Sequence, residues 1–288
     1  MSLIPKRLYQ SWKTKNLDSK MAEIVEKNRR LNPDYVYELY DDNDCRQFLL
    51  DHFGQNYANA FDILIPGAFK CDFWRYAKLY VDGGIYMDID MTALVPFSQF
   101  ISPTDEFVSV VDMMQPYSIF MEIPGIYQAF LACRPKHPII LLSLQLSFYN
   151  IVSRRAGIAE TLSITGPGAV GIAWNLFWEK KNTFSPIKSG IYPNGIKLFT
   201  MDNSFTYDLN KTKIISNKYE DYNRGLGNYG KVESFYKDDP RLTFRRIIAY
   251  GIIILVLIAF IGLLFTFVYR KRWRRCQTSC KPVSNSSQ

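Results

Sequence analysis

Apolar and polar positions alternate along the first forty residues in two rhythms. Leu3 to Trp12 carries Ile4, Leu8, Tyr9 and Trp12 among polar residues, which predicts an opening strand and its loop. Asp18 or Ser19 can cap a helix running to about Arg30, ended by Asn32-Pro33. Tyr35 to Tyr40 alternates as a strand does, and the acidic turn Asp41-Asp42-Asn43-Asp44 leads into another helix. The clearest helix is Gly67 to Val81, where Phe69, Phe73, Tyr76 and Tyr80 recur on one face and Asp72 and Arg75 sit one turn apart on a neighbouring one. Asp82-Gly83-Gly84 stops it, and Ile85-Tyr86-Met87 follows as a short strand ending in Asp88-Ile89-Asp90. Phe107 to Val111 and Gln128 to Cys133 predict strands. His137 to Ile151 predicts a helix, and the turn Thr165-Gly166-Pro167-Gly168 leads into another from Ala169 to Trp178. From about Phe184 to Asp239 the pattern fades into short strands and loops. Strands alternating with helices over residues 1–240 predict an α/β domain.

The rhythm then stops. Ile247 to Val268 is a run of 22 residues without a charge, about 33 Å long as a helix and long enough for a bilayer core of about 30 Å. Arg245 and Arg246 flank one end; Tyr269, Arg270, Lys271, Arg272, Trp273, Arg274 and Arg275 flank the other. The expected organisation is a domain over 1–240, a linker over 241–246, a transmembrane helix over 247–268 and a basic tail over 269–288. The N-terminus has no apolar run of the signal-peptide kind. The greater number of cations beyond the span favours a cytosolic tail. A late span without a leader favours a cytosolic domain instead, so the side of the membrane stays open. A single-pass protein of Golgi or ER endomembrane is expected.

Charge sharpens this division. The net charge of +8 belongs to the tail: up to Pro240 there are 26 Lys+Arg against 27 Asp+Glu, and from Arg241 onward nine cations and no acids. A nucleic-acid footprint over the domain is therefore not expected. Five cysteines without paired spacing do not read as a disulfide framework.

Candidate chemistry concentrates in Lys70 to Met91, KCDFWRYAKLYVDGGIYMDIDM. Asp88 and Asp90 alternate at a strand end, so period-two geometry points them to opposite sides unless the chain bends there. Hard carboxylate oxygens suit Mg2+ or Mn2+, and such an ion would stabilise a diphosphate leaving group. Gly84 to Thr92 also fits the strand and D-x-D-x-T of haloacid-dehalogenase-type phosphatases, with Asp88 as nucleophile and Asp90 as acid/base.

The block with Asp72, Arg75, Tyr76, Gly83, Gly84, Ile85, Tyr86, Asp88 and Asp90 resembles the signature of glycosyltransferase family 32. That family includes fungal initiating mannosyltransferases, inositolphosphoceramide mannosyltransferases and α-1,4-galactosyl or N-acetylglucosaminyl transferases; the block also looks like the core of large clostridial glucosylating toxins. Ile4 to Lys13 is similar to the family's N-terminal segment, Pro33 to Asp42 to its P-x-Y…D-D segment, and Thr165-Gly166-Pro167 to its later turn.

The resemblance implies a GT-A fold with a mixed central sheet. It also implies retaining transfer of a hexose from GDP-mannose or a UDP-hexose to a glycolipid or glycoprotein glycan, as in glycosphingolipid biosynthesis. Trp12 would stack on the base; Asp72 and Arg75 would hold the donor hexose and phosphate; Tyr86 would lie beside the nucleotide. Asp88 would lie near ribose, sugar and metal, and Asp90 on the metal. Asp72 beside Arg75 is expected to stay ionised. The family's histidine after the opening strand is Tyr9 here. Its C-terminal H-x-x-x-x-S-W element has only Glu233-Ser234-Phe235 as a counterpart, which makes Ser234 a candidate metal-site residue. That departure leaves room for a membrane-bound subunit with a relict, inactive sugar-nucleotide site.

Overall fold

The computed structural model describes residues 2–118, 121–155, 161–217, 235–239 and 251–261. Contacts divide the chain into Met1–Lys237 and Asp238–Gln288. In chain order the first unit contains β1 (Arg7–Ser11), α1 (Ser19–Leu31), β2 (Val36–Tyr40), α2 (Asp42–Phe53), α3 (Gln55–Ile63), α4 (Gly67–Asp82), β3 (Gly84–Met87) and β4 (Thr92–Ala93). It continues with β5 (Phe107–Ser118), β6 (Met121–Ile126), β7 (Phe130–Cys133), α5 (Pro138–Val152), α6 (Pro167–Phe177), β8 (Gly190–Tyr192), β9 (Ile196–Met201), β10 (Phe205–Tyr207) and β11 (Lys213–Ser216).

These strands join one mixed sheet in the order β2-β1-β3-β7-β5-β9-β10-β11-β4, with β6 paired to β5 and β8 to β9. β2, β1 and β3 run parallel, while β7 is antiparallel to both β3 and β5. Strand alternation sorts the side chains onto two faces. Tyr9, Tyr86, Phe107, Leu131 and Cys133 enter one core with α4, α5 and α6. Leu8, Ile85, Met87, Val108, Phe130 and Ala132 enter the other. Tyr86 therefore points toward α4, and its neighbours in β3 point away.

α4 is the element that the site depends on. Phe69, Phe73 and Tyr76 are fully buried, as their spacing predicts. Buried Lys78 pins the helix to β2, donating to Tyr40 Oη at 2.6 Å and pairing with Asp82 at 2.6 Å. Gly83 (φ +63°) and Gly84 (φ +104°) make the reversal into β3; a Cβ on Gly84 would stand 2.9 Å from the Tyr9 ring.

The structure adds to the sequence reading in two places and decides between two candidates in a third. Gln55–Ile63 is a separate helix beyond Gly54. β5 runs on to Ser118, and β6 follows it as an unexpected partner. Asp18 caps α1 as expected, accepting from the Met21 amide at 3.0 Å.

His137 caps the start of α5, almost fully buried and stacked on Phe107 at 5.1 Å. Burial, with Arg134 adding to it, pushes its pKa down from 6.5 to about 3. The folded state thus binds fewer protons than the unfolded one between those values. The stability this brings is present above pH 6.5 and is lost as pH falls toward 3. Unfolding by urea is expected to cost about 2 kcal/mol less at pH 5 than at pH 7 from this group. His137→Gln should flatten the slope; an unchanged slope would show that the imidazole is not the cause.

In the second unit residues 251–261 are helical. Their large apolar side chains are more than half exposed, from 54% at Ile253 and Leu257 to 67% at Leu255. Among the described residues no helix is long and apolar enough to cross a membrane. The rest of the 247–268 stretch and the basic tail lie outside the described residues.

Candidate active site

The carboxyl ends of parallel β1 and β3 open onto a cavity of about 460 Å³ closed by α4 and the start of α2. Trp12, Arg75, Tyr86, Asp88 and Asp90 all line it. Trp12 is tied to the end of β2 through its amide, which donates to Tyr40 O at 3.0 Å. β3 ends at Met87, and Asp88 O accepts from the Met91 amide at 3.1 Å, so the chain turns at the D-x-D. That turn cancels the alternation of a strand and brings Asp88 and Asp90 to one cavity.

Arg75 is the centre of the polar network and is 3% exposed. Its Nη1 donates to Gln128 O at 2.6 Å. Its Nη2 lies 3.2 Å from Asp72 Oδ1, 3.1 Å from Asp88 Oδ1 and 3.0 Å from Cys71 Sγ. The guanidinium carbon stands 4.0 Å from the centre of the Tyr86 ring, and Tyr86 Oη donates to Asp88 Oδ1 at 2.8 Å. Burial acts against the guanidinium charge, but Cys71, Tyr86, Asp88 and Asp72 around it raise its pKa well above the ordinary value.

Asp72 stands behind the cavity wall rather than on it, with no exposed surface. Its Oδ2 accepts from Thr165 Oγ1 at 3.0 Å, and Tyr76 Oη donates to Thr165 O at 2.6 Å. The Thr165-Gly166-Pro167 turn thereby gains a task, docking on α4 and fixing Asp72. Burial pushes the Asp72 carboxyl up to about 6, and Arg75 only partly offsets this. At neutral pH the carboxylate is still mostly ionised, with less margin than an exposed one has.

Several lining residues escaped the sequence reading. Lys70 donates to Asp42 Oδ2 at 3.0 Å on the far wall. Cys71 was legible in principle, since it is four residues before Arg75 on the same helix face. Gln128 was not: it lies between β6 and β7, far from the motif in sequence. Ser234 lies outside the described residues. The adjoining Phe235 packs on Phe69 at 5.2 Å, and its carbonyl accepts from the amide of cavity-lining Ile65 at 2.9 Å.

Among the described residues no group of three or more His, Cys, Asp or Glu side chains forms a closed metal cage. Asp88 and Asp90 place two carboxylates on the cavity, oxygen donors of the kind a divalent cation takes. Asp72 and Asp88 contact Arg75, and Asp90 lines the same cavity.

Residues 8–108 match the glycosyltransferase sugar-binding region containing the DXD motif. Over that stretch the chain is similar to DXD-type glycosyltransferases. The initiation-specific alpha-1,6-mannosyltransferase of Candida albicans is 30% identical over 107 residues, covering 35% of this chain and 28% of that protein. Uncharacterized glycosyltransferase L373 of Acanthamoeba polyphaga mimivirus is 25% identical over 166 residues, covering 57% and 62%. Inositol phosphoceramide mannosyltransferase 3 of Schizosaccharomyces pombe is 25% identical over 177 residues, covering 62% and 46%. The chain spans less than two thirds of the length of each of these three. Among solved structures, the PaToxG glycosyltransferase is similar over 60% of this chain and 70% of its own, with 19% identity and a TM-score of 0.44.

Proposed function

We propose that this glycosyltransferase domain has the GT-A arrangement and moves a hexose, with retention, from a nucleotide sugar such as GDP-mannose or a UDP-hexose. The convergence of Trp12, Arg75, Tyr86, Asp88 and Asp90 on one cavity carries the reading. The Trp12 face suits a flat base. The Arg75 fork suits phosphate oxygens, and it is held in place before any ligand arrives. Asp88 and Asp90 would hold Mn2+ or Mg2+, which when bound would neutralise the diphosphate as it leaves. Arg75 binds and orients the phosphate; Asp72 holds Arg75 from behind; the Tyr86 ring supports the guanidinium from one side. The acceptor hydroxyl would attack from the face that the diphosphate leaves, with that phosphate taking its proton. No side chain is assigned as a protein nucleophile.

Manganese-dependent hydrolysis of a nucleotide sugar tests this. The chain should release free hexose with Mn2+, and Asp90→Ala should lower the rate about a hundredfold. An Asp90→Ala protein that hydrolyses at the normal rate would remove the metal from the reading.

The acceptor is proposed to be a glycolipid or a membrane glycoprotein glycan, and the enzyme to be anchored in a Golgi or ER membrane through residues 247–268. A helical stretch whose apolar side chains are exposed all round calls for an apolar surrounding. Deleting residues 247–288 should then move the protein from the membrane pellet to the supernatant.

A further inference from the structure

The Cys71 side chain joins three of the cavity's elements, its own helix α4 included. Its Sγ lies 2.8 Å from Ser11 Oγ at the end of β1, 2.8 Å from Tyr86 Oη in β3, and 3.0 Å from Arg75 Nη2 one turn along α4. Proton accounting gives these contacts a direction. The single Tyr86 proton goes to Asp88 Oδ1. Toward the sulfur, the Tyr86 oxygen must therefore accept, and the thiol donates to it. Arg75 can only donate to the sulfur. The thiol proton being spent on Tyr86, Ser11 donates to the sulfur as well. The resulting order runs from Arg75 and Ser11, through a protonated Cys71, to Tyr86 and on to Asp88. Burial, opposed by Arg75, raises the thiol pKa, which keeps the proton in place.

A separate observation marks this wall as built for a ligand. Nε of Arg75 and Oε1 of Gln128 are buried there without a hydrogen-bond partner, on side chains 3% and 9% exposed.

We propose that Cys71 is a positioning residue: its neutral thiol locks the Tyr86 hydroxyl onto Asp88 and the Arg75 fork into the plane that receives the donor diphosphate. This rests on the reading of the cavity as a donor site. It predicts that what matters at position 71 is a small group able both to donate and to accept.

Two measurements on the full chain test it. In donor hydrolysis with Mn2+, Cys71→Ser should stay within about threefold of the unchanged protein. Cys71→Ala should lose about tenfold in kcat, with KM little altered, because the donor still binds but the polar groups are no longer aligned. Equal rates for Cys71→Ala and the unchanged protein would overturn the proposal, as would a serine variant as poor as the alanine one. The second measurement needs no activity. Alkylation of Cys71 by iodoacetamide, followed by mass spectrometry of its peptide, should be about threefold or more faster in Tyr86→Phe, where the thiol loses its acceptor. Labelling of Tyr86→Phe at the unchanged rate would overturn the relay. If the unchanged protein binds and hydrolyses no nucleotide sugar, the donor reading fails by itself and the labelling result still decides the relay.

Discussion

Arg75→Ala is expected to lower donor hydrolysis about 10²–10³-fold and folding stability by about 3–5 kcal/mol. Both losses have one cause. The guanidinium is 3% exposed and Asp72 not exposed at all, so removing the cation leaves a carboxylate without its partner in a place water does not reach. Asp72 can take up a proton to relieve this, which places the stability loss toward the lower end. Asp88 sits at the cavity mouth with its side chain 32% exposed and is freer to be solvated. Arg75→Lys separates charge from shape. One ammonium restores a cation near Asp72, but it cannot reach Gln128 O and both carboxylates at once while packing on Tyr86. Stability should recover in part and turnover little. Urea unfolding and Mn2+-dependent hydrolysis on the three proteins check this. An Arg75→Ala protein with the midpoint of the unchanged chain would show that the buried pair contributes nothing.

Why Arg75 was legible in the sequence, and its supports only partly so, follows from the range of the forces involved. Asp72 and Arg75 lie one turn apart on a helix, and that geometry can be read from spacing alone. Tyr86 pointing toward α4 follows from strand alternation once β3 is placed. Asp88 and Asp90 share a cavity because the chain turns at Asp88, and a sequence pattern of period two gives no sign of that turn. Gln128 and Thr165 come from 53 and 93 residues beyond their partners on α4, brought there by sheet order and helix docking. The motif resemblance found Trp12, Arg75, Tyr86, Asp88 and Asp90 on the cavity and Asp72 behind it. It said nothing of Cys71 as a link between β1, β3 and α4, because that role exists only when three elements meet.

The position of Asp72 leads to the second large effect, in which stability and activity move in opposite directions. Its pKa is raised from 3.8 to about 6 by burial. The folded state therefore holds a proton that the unfolded state has already released between those values. The stability this group brings is fully present below about pH 4 and is lost as pH rises through about 6. Above that, the ionised carboxylate costs the fold on the order of 2–3 kcal/mol. Asp72→Asn resembles the protonated form and keeps groups for Thr165 and Arg75, so it should be at least as stable as the unchanged chain at pH 8, with the difference closing toward pH 4. Its donor hydrolysis should nevertheless fall about a hundredfold, since a neutral amide holds the Arg75 fork less firmly. A residue kept only for the fold would show the reverse, with stability lost and turnover per folded molecule preserved. Measuring urea midpoints at pH 4 and 8 beside hydrolysis rates decides between them. A destabilised but fully active Asp72→Asn would make Asp72 a structural residue and leave the site to Arg75, Asp88 and Asp90.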